Sequence, residues 1–332
     1  MNIKSLLLGS AAALAAVSGA QAADAIVAAE PEPMEYVRVC DAFGTGYFYI
    51  PGTETCLQIG GWVRFQVDFG RDEQGSSDWD AVSKGYLTFT SKSDTELGTL
   101  TGFIAIEGDP SNGDTNGVYV DEAYISLGGF KAGYFYNWWD KGIVGETDSL
   151  GENTLMNAVS YTYDGGAFQA GVAVEELEDL FTGVNADTTN GVGISGIVTA
   201  AVGGVAFDLL GSYDTENEEG AIRGLLSAEV GPGTLQIAGI WASGASAYWT
   251  DSEWSVAAAY ALKATDKLTI TPAVQYWDEL DFVGGEQITY GITLGYQITD
   301  GLSTLINVDY TDSDNAAVDD SVAGFFRLQR SF

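Results

Sequence analysis

The sequence predicts an all-β protein, a sixteen-stranded antiparallel transmembrane β-barrel. Three observations predict it. Segments of 10 to 13 residues alternate apolar and polar side chains with a period of two. The connections between them alternate in kind, short turns against long acidic loops. Beyond the first 22 residues no stretch approaches 18 uninterrupted apolar positions, while aromatics make up 12 % of the chain and glycine occurs 43 times.

The elements follow in order. The chain opens on MNIKSLLLGSAAALAAVSGAQA. Lys4 supplies a positive start, Leu6 to Val17 an apolar core too short to span a bilayer, and Ala20-Gln21-Ala22 a small-x-small cleavage signature. Residues 1–22 therefore read as a signal peptide. Residues 23–55 form an N-terminal segment, first Ala/Glu/Pro-rich and disordered or extended, then a hairpin between Cys40 and Cys56. One even pair in an exported chain, spaced around Gly/Pro turn residues, reads as a disulfide.

The barrel is expected over 56–332. In LQIGGWVRFQVDF (57–69) one parity carries Leu57, Ile59, Val63, Phe65, Val67 and Phe69, and the other Gln58, Trp62, Arg64, Gln66 and Asp68. KLTITPAVQYW (267–277) and QITYGITLGYQI (287–298) repeat the pattern. Strands this long exceed those of soluble sandwiches and match a tilted membrane-spanning strand. Pro272 cannot donate to a ladder, so an irregularity is expected there. Short turns are read at 93–96, 128–129, 164–166, 201–204, 231–233, 263–266 and 299–301, and longer loops near 70–79, 109–117, 138–154, 177–190, 214–220, 243–251, 278–286 and 311–321. Seven turns and eight loops join sixteen strands, the even number a bacterial barrel requires.

Charge narrows the function. Lys and Arg number 13 against 47 Asp and Glu, a formal net charge of −34, so phosphate backbones are repelled and nucleic-acid binding is not expected. No cofactor is expected. Acids crowd the long loops, among them Asp72, Glu73, Asp78, Asp80, Glu175, Glu176, Glu178, Asp179, Glu216, Glu218, Glu219, Asp312, Asp314, Asp319 and Asp320. They serve solubility or form an outer rim that binds divalent cations. The chain has no histidine and no phosphate-binding glycine loop, which removes Ser-His-Asp and nucleotide chemistry. Spacing alone leaves a carboxylate-pair hydrolase open among so many acids. No enzyme is expected.

The last eight residues, FFRLQRSF (325–332), place Phe326, Leu328 and Phe332 on a lipid parity and Arg327, Gln329 and Ser331 on a lumenal one. A strand that ends on an aromatic suits the interfacial girdle, and pairing with the first strand would remove the sheet's edges. Arg330 breaks the apolar pattern on the lipid face but can snorkel to the interface.

With its leader, the stretch ADAIVAAEPEPMEYVRVCDAFGTGYFYIPGTETCLQIGGWVRF, the strand rhythm and the RLQRSF ending, the chain resembles the alphaproteobacterial porin family over essentially its whole mature length. The resemblance implies a homotrimeric outer-membrane porin of a Gram-negative bacterium, set among lipid and lipopolysaccharide. It implies a third loop folded into the lumen, passage of small hydrophilic solutes and ions, and a Phe332 read by the barrel assembly machinery.

A pore's selectivity lies in its narrowest ring of side chains. NWWDKGIVGETDSLGENT (137–154) is the longest connection and offers Asp140, Glu146, Asp148 and Glu152 as the acidic side of a constriction. Parity places Arg64, Lys84, Lys131, Arg223 and Arg327 in the lumen as a basic side, unless each pairs locally with a lumenal acid. Mild cation selectivity follows from the excess of loop acids. Trp138 and Trp139 open the loop as interfacial anchors or, in a solute-selective channel, as sugar platforms.

Overall fold

A computed structural model describes residues 38–70, 79–110, 117–178, 180, 191–314 and 320–332. Residues 1–37, on which the expected signal peptide and the Ala/Glu/Pro-rich stretch fall, and the loop acids Asp72, Glu73, Asp78, Asp179 and Asp319 lie outside the described residues. The barrel unit runs Val39–Phe332.

Among the described residues, sixteen strands form one antiparallel sheet. They are β1 (Cys56–Phe69), β2 (Trp79–Thr95), β3 (Gly98–Asp109), β4 (Gly117–Leu127), β5 (Phe130–Tyr136), β6 (Leu155–Asp164), β7 (Phe168–Glu176) and β8 (Val192–Val202). There follow β9 (Val205–Asp214), β10 (Glu219–Val230), β11 (Gly233–Ala242), β12 (Ser252–Lys263), β13 (Leu268–Leu280), β14 (Glu286–Thr299), β15 (Leu302–Ser313) and β16 (Ser321–Ser331). Each strand pairs with its sequence neighbours, and β16 pairs with β1, so the sheet closes. Closure matters because an unpaired backbone group in hydrocarbon costs several kcal/mol, as an order of magnitude. The final residue joins the ladder: the Phe332 amide donates to the Gly61 carbonyl at 3.0 Å, and the Gly61 amide donates back at 3.1 Å. No described helix is long and apolar enough to cross a membrane.

The parity read from the sequence is the parity of the wall. Val63, Ile125 and Val172 point outward, 58, 62 and 63 % exposed, where lipid would cover them. The opposite parity turns inward with Gln66, Asp68, Arg223, Gln275 and Asn307. The irregularity expected at Pro272 is present: β13 pairs with β12 at Ala273 and Ile270 but skips Pro272, while Pro272 still faces Ile292 on β14. Arg330 donates to the carbonyls of Asp300 and Ser331 at the neighbouring turn, a snorkelled position.

Cys40 and Cys56 are disulfide-bonded and, with Tyr47, make a small core of their own beside a two-residue strand, Phe48–Tyr49, that pairs with the start of β1. Replacing both cysteines with serine should cost this hairpin about 3 kcal/mol of loop-closure entropy. The barrel ladders are unaffected by the change, so the unheated variant should keep the compact electrophoretic mobility of the native barrel.

The largest hydrophobic cluster lies inside the barrel rather than between layers. It joins Trp139, Ile143 and Leu150 of the third loop, Ala247, Tyr248 and Trp249 of the sixth loop, and inward residues of β6 to β13 such as Ile197, Leu210, Ile240 and Trp277.

Candidate pore constriction

The loop 137–154 begins with a single 3-10 turn, Trp138–Asp140, capped where the Asn137 side chain accepts from the Trp139 amide at 2.8 Å. From there it meets inward-facing side chains of strands on the far side of the barrel. The Trp139 indole donates to Ser212 on β9 (2.8 Å), and Lys141 pairs with Asp208 on the same strand. The Val144 amide donates to Gln236 on β11, the Ser149 amide to Gln275 on β13, and the Glu146 amide to Thr293 on β14. A loop joining β5 to β6 reaches these partners only by crossing the lumen, which puts it inside the barrel.

Three glycines on the inward parity make room for it. A Cβ on Gly171 of β7 would lie 2.6 Å from the Trp138 ring, and one on Gly291 of β14 would lie 1.9 Å from Thr147 Oγ1. At Gly193 of β8 a Cβ would meet the Tyr248 hydroxyl at 1.7 Å.

Tyr248 belongs to a second inserted segment, loop 243–251, which the sequence suggests is a polar outer connection. It folds inward instead. Its Tyr248 carbonyl accepts from the Glu152 amide (3.0 Å), and its Ala247 carbonyl accepts from Asn153 (2.9 Å). The Tyr248 hydroxyl donates to the buried Glu175 on β7 at 2.5 Å, and Ser195 donates to the same carboxylate oxygen at 2.6 Å. The sixth loop thus holds down the C-terminal half of the third.

The candidate residues divide. Glu146 reaches the opposite wall, where Arg327 Nη1 lies 3.3 Å from its carboxylate. Arg64 sits beside Arg327 on the adjoining strand, and Lys84 stands opposite Arg64 on β2. Lys84 pairs locally, with Glu107 at 2.8 Å and Asp109 at 3.8 Å. These groups form the two faces of the slot. Asp148 folds back instead and accepts from the Ile143 amide at 3.2 Å. Burial pushes its carboxyl up to about 6, although that amide and Arg223 pull the other way. Asp140 and Glu152 stay near the ends of the loop, where Asp140 is exposed and Glu152 accepts from Thr250 at 3.3 Å.

Two expectations need correction. Arg223 is not part of a basic wall facing the loop. It is 3 % exposed and lies beneath the loop, donating to the carbonyls of Trp138 (2.7 Å), Trp139 (2.9 Å) and Leu150 (2.8 Å). Parity gave its side correctly, but the loop runs over that side and its carbonyls take the guanidinium. Trp139 is neither anchor nor sugar platform, being 2 % exposed under the same loop. Lys131 faces inward but far from the slot, its ammonium 3.9 Å from the centroids of Tyr124 and Phe135 beside a cavity of about 580 Å³ at the loop's base.

The porin subfamily matches residues 24–327. The chain belongs to that family. Outer membrane protein IIIA of Rhizobium leguminosarum bv. viciae is 47 % identical, over 98 % of this chain and 93 % of its own. Porin Omp2b of Brucella neotomae is 35 % identical over the full length of both. Among solved structures, an anion-selective porin from Comamonas acidovorans superposes with a TM-score of 0.64 at 15 % identity, covering 84 % of this chain and all of that one. At that identity the likeness carries the fold alone. Family, relatives and barrel together make this an outer-membrane porin channel.

Proposed function

We propose that this porin is a passive, water-filled channel in which small hydrophilic solutes and ions diffuse down their gradients, screened at the slot between the third loop and the wall formed by β16, β1 and β2. The observation that carries it is the position of Glu146 across the lumen against Arg327. Opposed charges at the narrowest point set a transverse field, and the rest of the lumen needs no binding site. Membership of the porin subfamily and a closed barrel crossed by a charged slot support a channel over an enzyme. Divalent cations at the acidic outer loops, with lipopolysaccharide as their other partner, remain part of the proposal.

Trimeric assembly is also proposed. Where other outward positions carry Val, Ile or Leu, the outer wall of β2 to β5 carries Ser83, Gly85, Gly102, Gly108, Ala123 and Ala132 and is grooved. Small residues let protein pack closely against protein in a membrane. Phe332, exposed at the barrel's edge, is the residue we assign to recognition by the assembly machinery.

A planar bilayer under a salt gradient tests the reading. Conductance is expected in sets of three with a cation-selective reversal potential. Glu146→Gln should move that potential toward anions more than Asp140→Asn or Glu152→Gln, because only Glu146 reaches the opposing arginine. Absence of conductance from native protein would replace the channel with a structural barrel.

A further inference from the structure

Two inward-facing strings of side chains meet where β16 closes on β1. On β1 the inward positions are Trp62, Arg64, Gln66 and Asp68, and on β16 they are Phe325, Arg327, Gln329 and Ser331. The order is the same on both strands: aromatic, arginine, glutamine, short polar. Because the strands are antiparallel, Arg64 stands opposite Gln329 and Gln66 stands opposite Arg327. A local two-fold relation results.

Each arginine is held by the same two devices. Arg64 Nε donates to Gln329 Oε1 at 2.9 Å, and its guanidinium lies 4.2 Å from the Trp62 ring centroid. Arg327 Nε donates to Gln66 Oε1 at 2.6 Å, and its guanidinium lies 4.4 Å from the Phe325 centroid. The glutamines are themselves oriented through their amides, Gln66 toward Asp68 (2.9 Å) and Gln329 toward Ser331 (3.3 Å). Engaging Nε leaves the terminal nitrogens of both forks for the lumen. Those of Arg64 meet no hydrogen-bond acceptor among the described residues. Arg327 turns Nη1 to Glu146, whose two oxygens lie 3.3 and 3.4 Å away.

Three cations at the seam, Arg64, Arg327 and Lys84, stand among three carboxylates, but Glu107 and Asp109 pair with Lys84, and Glu146 is the carboxylate within ion-pair distance of a guanidinium. A planar fork whose rotamer is already fixed loses little entropy on binding and matches carboxylate or phosphate oxygens in pairs. The long contact to Glu146 shows which chemistry the pair accepts, since the loop's own carboxylate already occupies one of the two forks.

The geometry points to an oxyanion subsite at the barrel seam, in which Arg64 and Arg327 bind the carboxylate or phosphate of a passing solute and Glu146 is the internal carboxylate that solute displaces. The subsite rests on the channel reading above. It adds saturable recognition to what would otherwise be a simple field, and it acts on solutes whose charge opposes the pore's overall preference.

The test is single-channel current in potassium chloride, with inorganic phosphate or succinate added at constant ionic strength. Native channels should show a saturable fall in conductance, and whichever probe acts at the lower concentration identifies the phosphate or the carboxylate as the favoured group. Arg64→Lys keeps the charge and loses the fork, so its half-blocking concentration should rise about tenfold. Glu146→Gln removes the internal competitor and should lower that concentration. Unheated electrophoretic mobility checks that both variants are folded barrels. A conducting native channel without saturable block, an Arg64→Lys variant that blocks like native, or a Glu146→Gln variant that blocks no better, overturns the subsite and leaves the channel reading intact. No conductance at all overturns both.

Discussion

Replacing Arg223 with methionine should release the third loop and raise single-channel conductance, with added noise in the open state. The guanidinium serves three backbone carbonyls, those of Trp138, Trp139 and Leu150, at 2.7 to 2.9 Å in a site 3 % exposed. A buried acceptor left without a donor costs about 1–3 kcal/mol, so the variant forfeits several kcal/mol in one place. The seated loop bears that cost, since water can satisfy the same carbonyls once the loop lifts away. The barrel ladders are backbone pairs that do not involve Arg223's side chain, so closure survives. Protease should then cut within 141–153, while the unheated barrel keeps its compact mobility. Arg223→Lys should fall between the two, because one ammonium on a flexible stem cannot reproduce a fork spanning carbonyls at both ends of the loop. A quiet channel of native conductance in Arg223→Met, with the loop still protected, would mean that Gln236, Gln275 and Thr293 hold the loop without it.

The barrel was legible because a strand's period of two is a local property. Each inward or outward assignment needed only the neighbouring residues, and the turns carried glycine where the backbone has positive φ, as at Gly128, Gly203 and Gly301. The path of the loops is not local. Nothing in NWWDKGIVGETDSLGENT says that its first turn lies over β10, so Arg223 read as wall when it is a tether. The sixth loop did carry a signal. Ala247, Tyr248 and Trp249 are an apolar run inside a connection of otherwise small and polar residues, and all three are at most 1 % exposed. Gly171, Gly193 and Gly291 are the complementary signal, lumen-side positions without a side chain where one of a loop's side chains has to fit. The seam was legible too, since WVRFQVD and FFRLQRS alternate the same residue types. Which glutamine serves which arginine depends on the register of β16 against β1, and sequence periodicity does not set that register.

Lowering the pH from 7.5 to 5 should tighten the third loop and weaken cation selectivity together. Asp148 of the third loop and Asp251 of the sixth both have carboxyls pushed up to about 6, in each case chiefly by burial, with Glu152 adding to the effect on Asp251. The two lie on the same packed region, where Ser149 reaches Asp251 at 3.5 Å. The sign follows from where the proton is held more tightly. A free loop would titrate near the ordinary carboxylate value, about 4, and the seated loop titrates near 6. Seating is therefore fully favoured below the ordinary value, and that advantage is lost as pH rises through about 6. Open-channel noise and proteolysis within the loop should both be greater at pH 7.5 than at pH 5. The same protons remove fixed negative charge near the slot, which moves the reversal potential toward anions. Asp148→Asn with Asp251→Asn carries neutral groups at every pH. At pH 7.5 it should match native protein at pH 5, and it should be flat between them. Arg223 links this result to the first. Its guanidinium is one of the groups holding the Asp148 value down, so in Arg223→Met any remaining titration of the loop should move to higher pH. If the double asparagine variant kept the native pH dependence, the switch would have to sit among other carboxylates of the lumen.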